Sequence, residues 1–286
     1  LKEFVIVTDS CSDLHMDYVE KNNIEYVPLT YQLGDQEYID DFGKTMTHKE
    51  FYHAMKEGSI VKTSQPSPQS FYDVFYKHVK KGTEVLYIGV STGLSGTFNS
   101  ASLAKRMVLE KKPNAGITLI NTLTASIGQG LLVMQAVEMK RQQKPLSEIV
   151  EYLEIKRNTM RTFMSVNDLK YLKIGGRISR LQYSMGMLLN INIMLCLDKE
   201  GKVGLLDKVR GRKKAILHFV KSVKENIINP ENQVIAISHG EAFNDALALK
   251  EEILKEVKVR EVVLGNIGPV VGAYGGPGAL AVFFTN

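Results

Sequence analysis

The apolar run Glu84 to Val90 (EVLYIGV) breaks off into Ser91-Thr92-Gly93-Leu94-Ser95-Gly96-Thr97-Phe98-Asn99-Ser100-Ala101, and this join constrains the chain most. A run rich in β-branched and aliphatic residues with no polar alternation reads as a strand buried on both faces, as in a parallel sheet. Beyond the loop, Ala101, Ala104, Met107 and Val108 recur at helical spacing. A strand that ends in a Gly/Ser loop and opens a helix leaves unpaired N–H groups at a helix start, where negative charge is favoured. Gly93 and Gly96 let the backbone approach a ligand, and Ser95 offers a hydroxyl. A loop that only caps its own helix carries the same residues.

The same theme recurs along the chain. Phe4 to Val7 reads as a strand that leads into the polar cluster Thr8-Asp9-Ser10-Cys11-Ser12-Asp13, an N-cap cluster or a ligand contact. Tyr26 to Tyr31 and Gln36 to Ile39 read as strands, and Thr47 to Lys56 as a helix with Thr47 and Glu50 placed as a capping box. In Lys62-Thr63-Ser64-Gln65-Pro66-Ser67-Pro68, Ser67 and Pro68 suit the N-cap and first turn of the next helix. That leaves the hydroxyls of Thr63 and Ser64 on a stiff segment without a structural task. Gly116 to Ile120 then reads as a strand and Ile127 to Arg141 as a helix whose Gly128 and Gly130 suggest tight packing, the better fit, or space left for a ligand. Strands alternating with helices predict βαβ units and a parallel sheet.

The pattern resets near residues 158–163, which places a domain boundary there. An N-terminal parallel-sheet α/β domain would span 1–160, and a C-terminal mixed-sheet α/β domain 161–286. In the second, Ile191 to Leu197 and Lys202 to Val209 flank the turn Asp198-Lys199-Glu200-Gly201 and predict an antiparallel hairpin. Arg210-Gly211-Arg212-Lys213-Lys214 opens a helix with cations that oppose its dipole, a local cost that suggests use. The glycines between Gly265 and Ala279 predict a loop that passes close to something. It lacks the Gly-Lys-Ser/Thr ending of a phosphate-binding P-loop.

Composition narrows the classes. The 286 residues are 44% hydrophobic, enough for two cores, and the net charge of +5 falls short of a nucleic-acid signature. Two distant cysteines, Cys11 and Cys196, support neither a disulfide framework nor a zinc site. No stretch approaches the roughly 18 apolar residues that span a bilayer, and the start lacks a signal-peptide layout. The expectation is a soluble, cytoplasmic protein.

Five motifs taken in order resemble the DegV family of bacterial lipid-binding proteins. They are Thr8-Asp9-Ser10 with Ser12-Asp13-Leu14, Thr63 to Pro68, Leu94 to Ala101, Leu172 with Gly175-Gly176-Arg177-Ile178-Ser179, and Ile267-Gly268-Pro269 with Gly276-Pro277-Gly278-Ala279. The resemblance implies two α/β domains with a long-chain fatty acid between them, its carboxylate at the interface and its tail in an apolar tunnel of the second domain. It implies the binding subunit of a fatty acid kinase, not itself an enzyme. The catalytic subunit of that kinase, acting as partner, would phosphorylate the bound acid to an acyl phosphate. No cofactor, metal or nucleic acid is implied, and a transient contact with a membrane surface is. Thr63 and Ser95 match the positions that hold the carboxylate, with Gly96 as a backbone donor; Arg177 and Arg210 or Arg212 match positions that engage the kinase.

One departure is Tyr274, where the family often has histidine; a phenol can donate a hydrogen bond but brings no positive charge. Leu188, Ile191, Ile193 and Met194 are the tunnel candidates, although ordinary core packing would explain each equally well. Two other readings compete. A serine hydrolase would use Ser95 with His239 as base, without a Gly-x-Ser-x-Gly elbow. A phosphate or nucleotide binder would rest on the helix-start loops alone.

Overall fold

In the computed structural model, which describes residues 2–178 and 191–286, the opening strand β1 (Phe4–Asp9) is buried at every position. Helix α1 (Met16–Lys21) leads to β2 (Glu25–Val27), which pairs parallel to β1. The chain then changes sheet. β3 (Thr30–Leu33) and β4 (Gln36–Ile39) form an antiparallel hairpin, and after α2 (His48–Lys56) β5 (Val61–Ser64) joins its other edge. The single strand expected from Tyr26 to Tyr31 is therefore two strands in two sheets. Pro28 divides them because it has no N–H for a ladder, and the next amide, Leu29 N–H, donates to Ser10 Oγ at 3.0 Å.

Helix α3 (Pro68–Val79), strand β6 (Glu84–Gly89), helix α4 (Thr97–Lys111) and strand β7 (Ile117–Asn121) complete a four-stranded parallel sheet ordered β2-β1-β6-β7. The expected caps form: Thr47 and Glu50 make a capping box on α2, and Ser67 Oγ accepts from Ser70 N–H at 3.1 Å on α3. Strand order reverses between β1 and β6, so the loops diverge there and open a crevice at the strands' carboxyl ends. Asp9 braces that crevice, accepting from Tyr87 Oη at 2.6 Å and from the Val90 and Cys11 amides at 3.0 and 3.1 Å.

Helices α5 (Ile127–Arg141) and α6 (Leu146–Thr159) precede β8 (Met160–Val166) and the short α7 (Lys170–Ile174). The expected hairpin follows as β9 (Ile191–Leu197) and β10 (Val203–Arg210). Then come α8 (Arg212–Asn226), β11 (Val234–His239), α9 (Phe243–Glu256), β12 (Glu261–Asn266), α10 (Pro269–Gly275) and β13 (Leu280–Thr285). The second sheet is ordered β10-β9-β8-β13-β11-β12, with β11 and β12 parallel and the other pairs antiparallel. The glycine-rich stretch expected as a loop thus contains a helix. Pro269 sets its first turn, and burial against Tyr52 replaces the propensity that its glycines lack: a Cβ on Gly272 would lie 2.3 Å from Tyr52 Oη.

Period-two alternation on β1 and β13 builds five layers. Val5, Val7 and Tyr87 face α3 and α4, while Phe4, Ile6 and Ile88 face α5 and α6. Ala281 and Phe283 meet α5 from the other side, and Leu280, Val282 and Phe284 pack under α8 and α9. Helix α5 is thus shared by both large sheets. Gly128 permits this, since a Cβ there would sit 2.4 Å from the Phe283 ring. Among the described residues no helix is long and apolar enough to cross a membrane.

Gly128→Ala should therefore destabilise the protein by about 1–3 kcal/mol in denaturant melts despite alanine's better helix propensity. Gly265→Ala, whose Cβ would meet only Ile127 at 4.0 Å, should change stability by less than about 0.5 kcal/mol.

Candidate functional site

The crevice, the three-stranded sheet and the inner end of the six-stranded sheet enclose a cavity of 440 Å³, within the roughly 300–1,000 Å³ of small-molecule sites. Its wall is apolar for most of its extent: Leu29, Val90, Met164, Val166, Val270 and Phe283 come from both halves of the chain. One end is polar, where Thr63, Ser95, Arg177 and Tyr274 meet.

Each of these four is placed by local structure. On β5, Thr63 stands opposite Tyr31 of β3, so strand alternation turns it toward the buried side while Lys62 is exposed. Its Oγ1 shares a short hydrogen bond with Tyr274 Oη. Tyr274 rides on α10, and its ring lies flat against Gly175, where a Cβ would fall 2.1 Å from the ring edge. The first glycine of Gly175-Gly176-Arg177 is thus a seat for the tyrosine. Arg177 then folds back so that its guanidinium carbon is 4.5 Å from the Tyr274 ring centroid, a cation–π stack. Its Nε donates to Leu94 O at 3.0 Å, and Nη1 donates to Gly175 O. Ser95 Oγ accepts from Thr97 N–H at 3.2 Å and caps α4 from the position before its N-cap, Gly96. Ser95 Oγ also shares a hydrogen bond with Thr97 Oγ1 at 2.9 Å; with Thr97 as the donor there, Ser95 only accepts and keeps its proton for a ligand.

The hairpin turn closes the loop side. Ser91 Oγ donates to Gly201 O at 3.0 Å, and Gly93 must be glycine because a Cβ would lie 2.6 Å from the same oxygen. Asn121 ties this loop down as well, accepting from Thr92 N–H at 3.3 Å and donating to Thr92 Oγ1 at 2.9 Å.

Thr63, Ser95, Tyr274 and Arg177 are therefore together, whereas Gly96 is more exposed and its Cβ position is filled by the Gln65 side chain 2.2 Å away. Arg177, expected at a docking surface, stands at the cavity. Arg212 is engaged inside the second domain: it pairs with Asp245 at 2.9 Å and donates to Ser165, Asn192 and Gly278 O at 3.2, 3.2 and 3.0 Å. Those bonds offset the cost of cations at the start of α8 and occupy the guanidinium. Arg210 is exposed at the end of β10.

The tunnel candidates on β9 divide by alternation. Ile193 packs in the apolar cluster around the cavity without lining it, and Met194 is fully buried on the opposite face with Phe219. Ile191 is half-buried and lines no described cavity, and Leu188 lies outside the described residues. β9 reaches the cavity through Leu197 at its end, and most of the wall from this half of the chain comes from β8, β13 and α10. His239 is not brought to Ser95. It lines no described cavity, its Nδ1 accepts from Ala242 N–H at 3.3 Å, and its ring packs edge-on against Phe243.

Behind the apolar wall sits a group of buried carboxyls: Asp9 and Asp13, from the cluster that the sequence offers as helix caps or a ligand contact, and Asp40, which no local pattern singled out. Ser126, on the cavity wall, donates to Asp13 and contacts Ser238 Oγ at 3.2 Å. Burial raises the pKa of all three carboxyls, that of Asp40 to about 7. Ser10 and the Phe42 and Val270 amides lie near Asp40 without reaching hydrogen-bond geometry, so they offset desolvation only in part.

The α/β fold of two large sheets thus holds between them an apolar cavity that ends in converging hydroxyls and a cation. The chain belongs to the DegV family, whose model, described as an uncharacterised protein family, matches residues 3–286. A DegV domain-containing protein of Clostridium perfringens is 38% identical over 99% of this chain and 98% of its own. The solved fold of a DegV family protein from Thermus thermophilus, described as fatty acid binding, superposes with a TM-score of 0.89 at 30% identity over 99% of both chains. DegV of Bacillus subtilis, described as a fatty acid binding protein, superposes with a TM-score of 0.84 at 27% identity over 100% of this chain and 99% of that one.

The buried carboxyls give the fold a pH dependence whose sign is fixed. A raised folded-state pKa means that the native state binds protons the unfolded chain does not, so stability is full below the ordinary value of 3.8 and declines as pH rises through about 7. Asp40→Asn should flatten this decline, gaining on the wild type by on the order of a few kcal/mol between those limits. Chemical denaturation across that pH range checks it.

Proposed function

We propose that the protein binds a long-chain fatty acid, with its carboxylate at Thr63, Ser95, Tyr274 and Arg177 and its hydrocarbon in the apolar cavity. The observation that carries the reading is a largely apolar cavity whose one charged lining residue among the described residues, Arg177, stands at the end where Thr63, Ser95 and Tyr274 also lie. At about 0.8 kcal/mol per buried methylene, a long acyl chain supplies a gross driving force on the order of 10 kcal/mol. The head group sets orientation, because a carboxylate removed from water is costly unless several donors meet it. Two hydroxyls, a phenol and a guanidinium supply them, and Arg177 provides the positive charge that Tyr274 lacks. The solved relatives described as fatty acid binding support the same ligand class.

In this reading the protein is not the catalyst. It presents the acid to a partner kinase, where a carboxylate oxygen bonds to the terminal phosphorus of a nucleotide as the bond to the nucleoside diphosphate breaks. The bound acid becomes an acyl phosphate and no proton need move. Arg210, exposed, is the cation left to meet that partner; Arg177 and Arg212 are held by internal contacts.

Thr63→Ala and Ser95→Ala should each raise the fatty acid Kd by about tenfold or more, as loss of a hydrogen bond to a charged group predicts. Ala281→Trp, which fills the apolar wall and leaves the polar end intact, should abolish binding of long chains. Titration with a fluorescent fatty acid checks all three. Unchanged affinity in the two alanine variants would reject the head-group assignment, and unchanged binding in Ala281→Trp would reject the cavity.

A further inference from the structure

Helix α5 begins at a serine that does not cap it. Ser126 occupies the N-cap position, where a serine side chain ordinarily accepts from an amide of the first turn, yet its hydroxyl makes no capping bond. Its backbone is held at φ 55° and ψ −151°, a region that glycine fills readily and other residues only under constraint. The hydroxyl is spent elsewhere. Ser126 Oγ donates to Asp13 and meets Ser238 Oγ at 3.2 Å, and both serines line the apolar cavity. Ser238 stands opposite Ala281 on the neighbouring strand β13, so strand register turns it to the face that meets α5. The head-group residues come from β5, the loop before α4, α10 and the glycine turn, whereas these serines come from the start of α5 and the end of β11. The cavity therefore has a second polar point, set beside Ala281 and Phe283 in a wall that is mostly hydrocarbon.

A carboxylate is the wrong group for that point. Asp13 lies directly behind Ser126, its Oδ1 is buried without a partner, and burial already holds its pKa well above the usual carboxylate range. A second carboxylate would add a like charge to a dry site. A neutral alcohol fits. Asp13, Ser126 and Ser238 form a chain whose hydrogen bonds can run either way. With Asp13 ionised, Ser238 donates to Ser126 and Ser126 to Asp13, which leaves the Ser238 oxygen free to accept. With Asp13 protonated the order reverses, and Ser238 has a proton to give. An alcohol answers both states, since it donates and accepts.

Resting on the fatty acid reading above, we propose that Ser126 and Ser238 form a receptor for a hydroxyl on the acyl chain, so that the ligand class extends to hydroxy fatty acids, with the carboxylate at Thr63 and Ser95 and the alcohol at Ser238. A hydroxyl moved from water into hydrocarbon is penalised unless it finds a partner. A cavity of hydrocarbon throughout would reject such an acid, and this one carries the partner in its wall. Because the head group is anchored, the reach from it to Ser238 selects which carbon bears the hydroxyl.

The test measures Kd for stearic acid and for monohydroxystearic acids substituted at successive carbons, by displacement of a fluorescent fatty acid from the full chain. At least one positional isomer should bind within about threefold of stearic acid or more tightly, while isomers whose hydroxyl falls against hydrocarbon should bind about tenfold or more weakly. Ser238→Ala and Ser126→Gly should each lower the preference for the favoured isomer, taken as the ratio of the stearic acid Kd to the hydroxy acid Kd, by about fivefold or more. Glycine suits the backbone at position 126, and stearic acid binding reports that each variant is folded. A wild type that binds every hydroxy isomer more than about threefold more weakly than stearic acid, or all isomers alike, overturns the receptor and leaves the fatty acid reading standing. A ratio that falls by less than about fivefold in both variants overturns it too, as does loss of both ligands in both variants. Failure of the wild type to bind stearic acid at all overturns both readings.

Discussion

On the fatty acid reading proposed above, desolvation of a negative head group is the constraint around which this molecule is arranged. An acid drawn from water into an apolar space must be met by donors from several directions at once, because no single side chain repays its lost hydration. Here the donors come from three pieces of chain far apart in sequence: β5 brings Thr63, the loop into α4 brings Ser95, and α10 with the Gly175-Gly176-Arg177 turn brings Tyr274 under Arg177. Their convergence is a product of the whole fold. It requires that the two large sheets sit at a fixed distance, which the shared helix α5 and its Gly128 against Phe283 maintain.

The polar end is rigid for reasons that lie outside it. Asp9 braces the crevice through Tyr87 and the Val90 amide, and Gly201 of the second domain locks onto Ser91. The hydroxyl of Ser95 is held by its own capping bond, and the Tyr274 ring is seated on Gly175. Donors fixed in this way need little reorganisation when an anion arrives. Glycines that would otherwise weaken regular structure thereby become contact surfaces.

Much of this was legible in the sequence wherever the signal was local. Caps at Thr47 and Ser67, the β9-β10 hairpin and the buried strands of the parallel sheet follow from residue order alone. Gly128 was readable as a packing position. What could not be read depends on partners distant in the chain. Pro28 was visible, but that it transfers the chain between two sheets depends on pairing with β5 more than thirty residues later. Helix α10 hid because propensity counts its glycines and not the Tyr52 hydroxyl they accommodate. On β9, alternation separates Ile193 from Met194, yet which face meets the cavity is decided by helices α8 and α9 on the other side. Arg177 was recognised as a motif residue, while its stack on Tyr274 needs two segments nearly a hundred positions apart.

The central claim is that one acidic amphiphile lies along the line from the Arg177–Tyr274 stack to the Phe283 wall. The most direct measurement is a crystal structure of the protein grown with a long-chain fatty acid. The account predicts continuous density for the chain against Phe283 and Val166, with its carboxylate within hydrogen-bond reach of Thr63 Oγ1 and Ser95 Oγ. A fatty acid bound with its head at the Ser126–Ser238 end, or lying outside the cavity altogether, would contradict it.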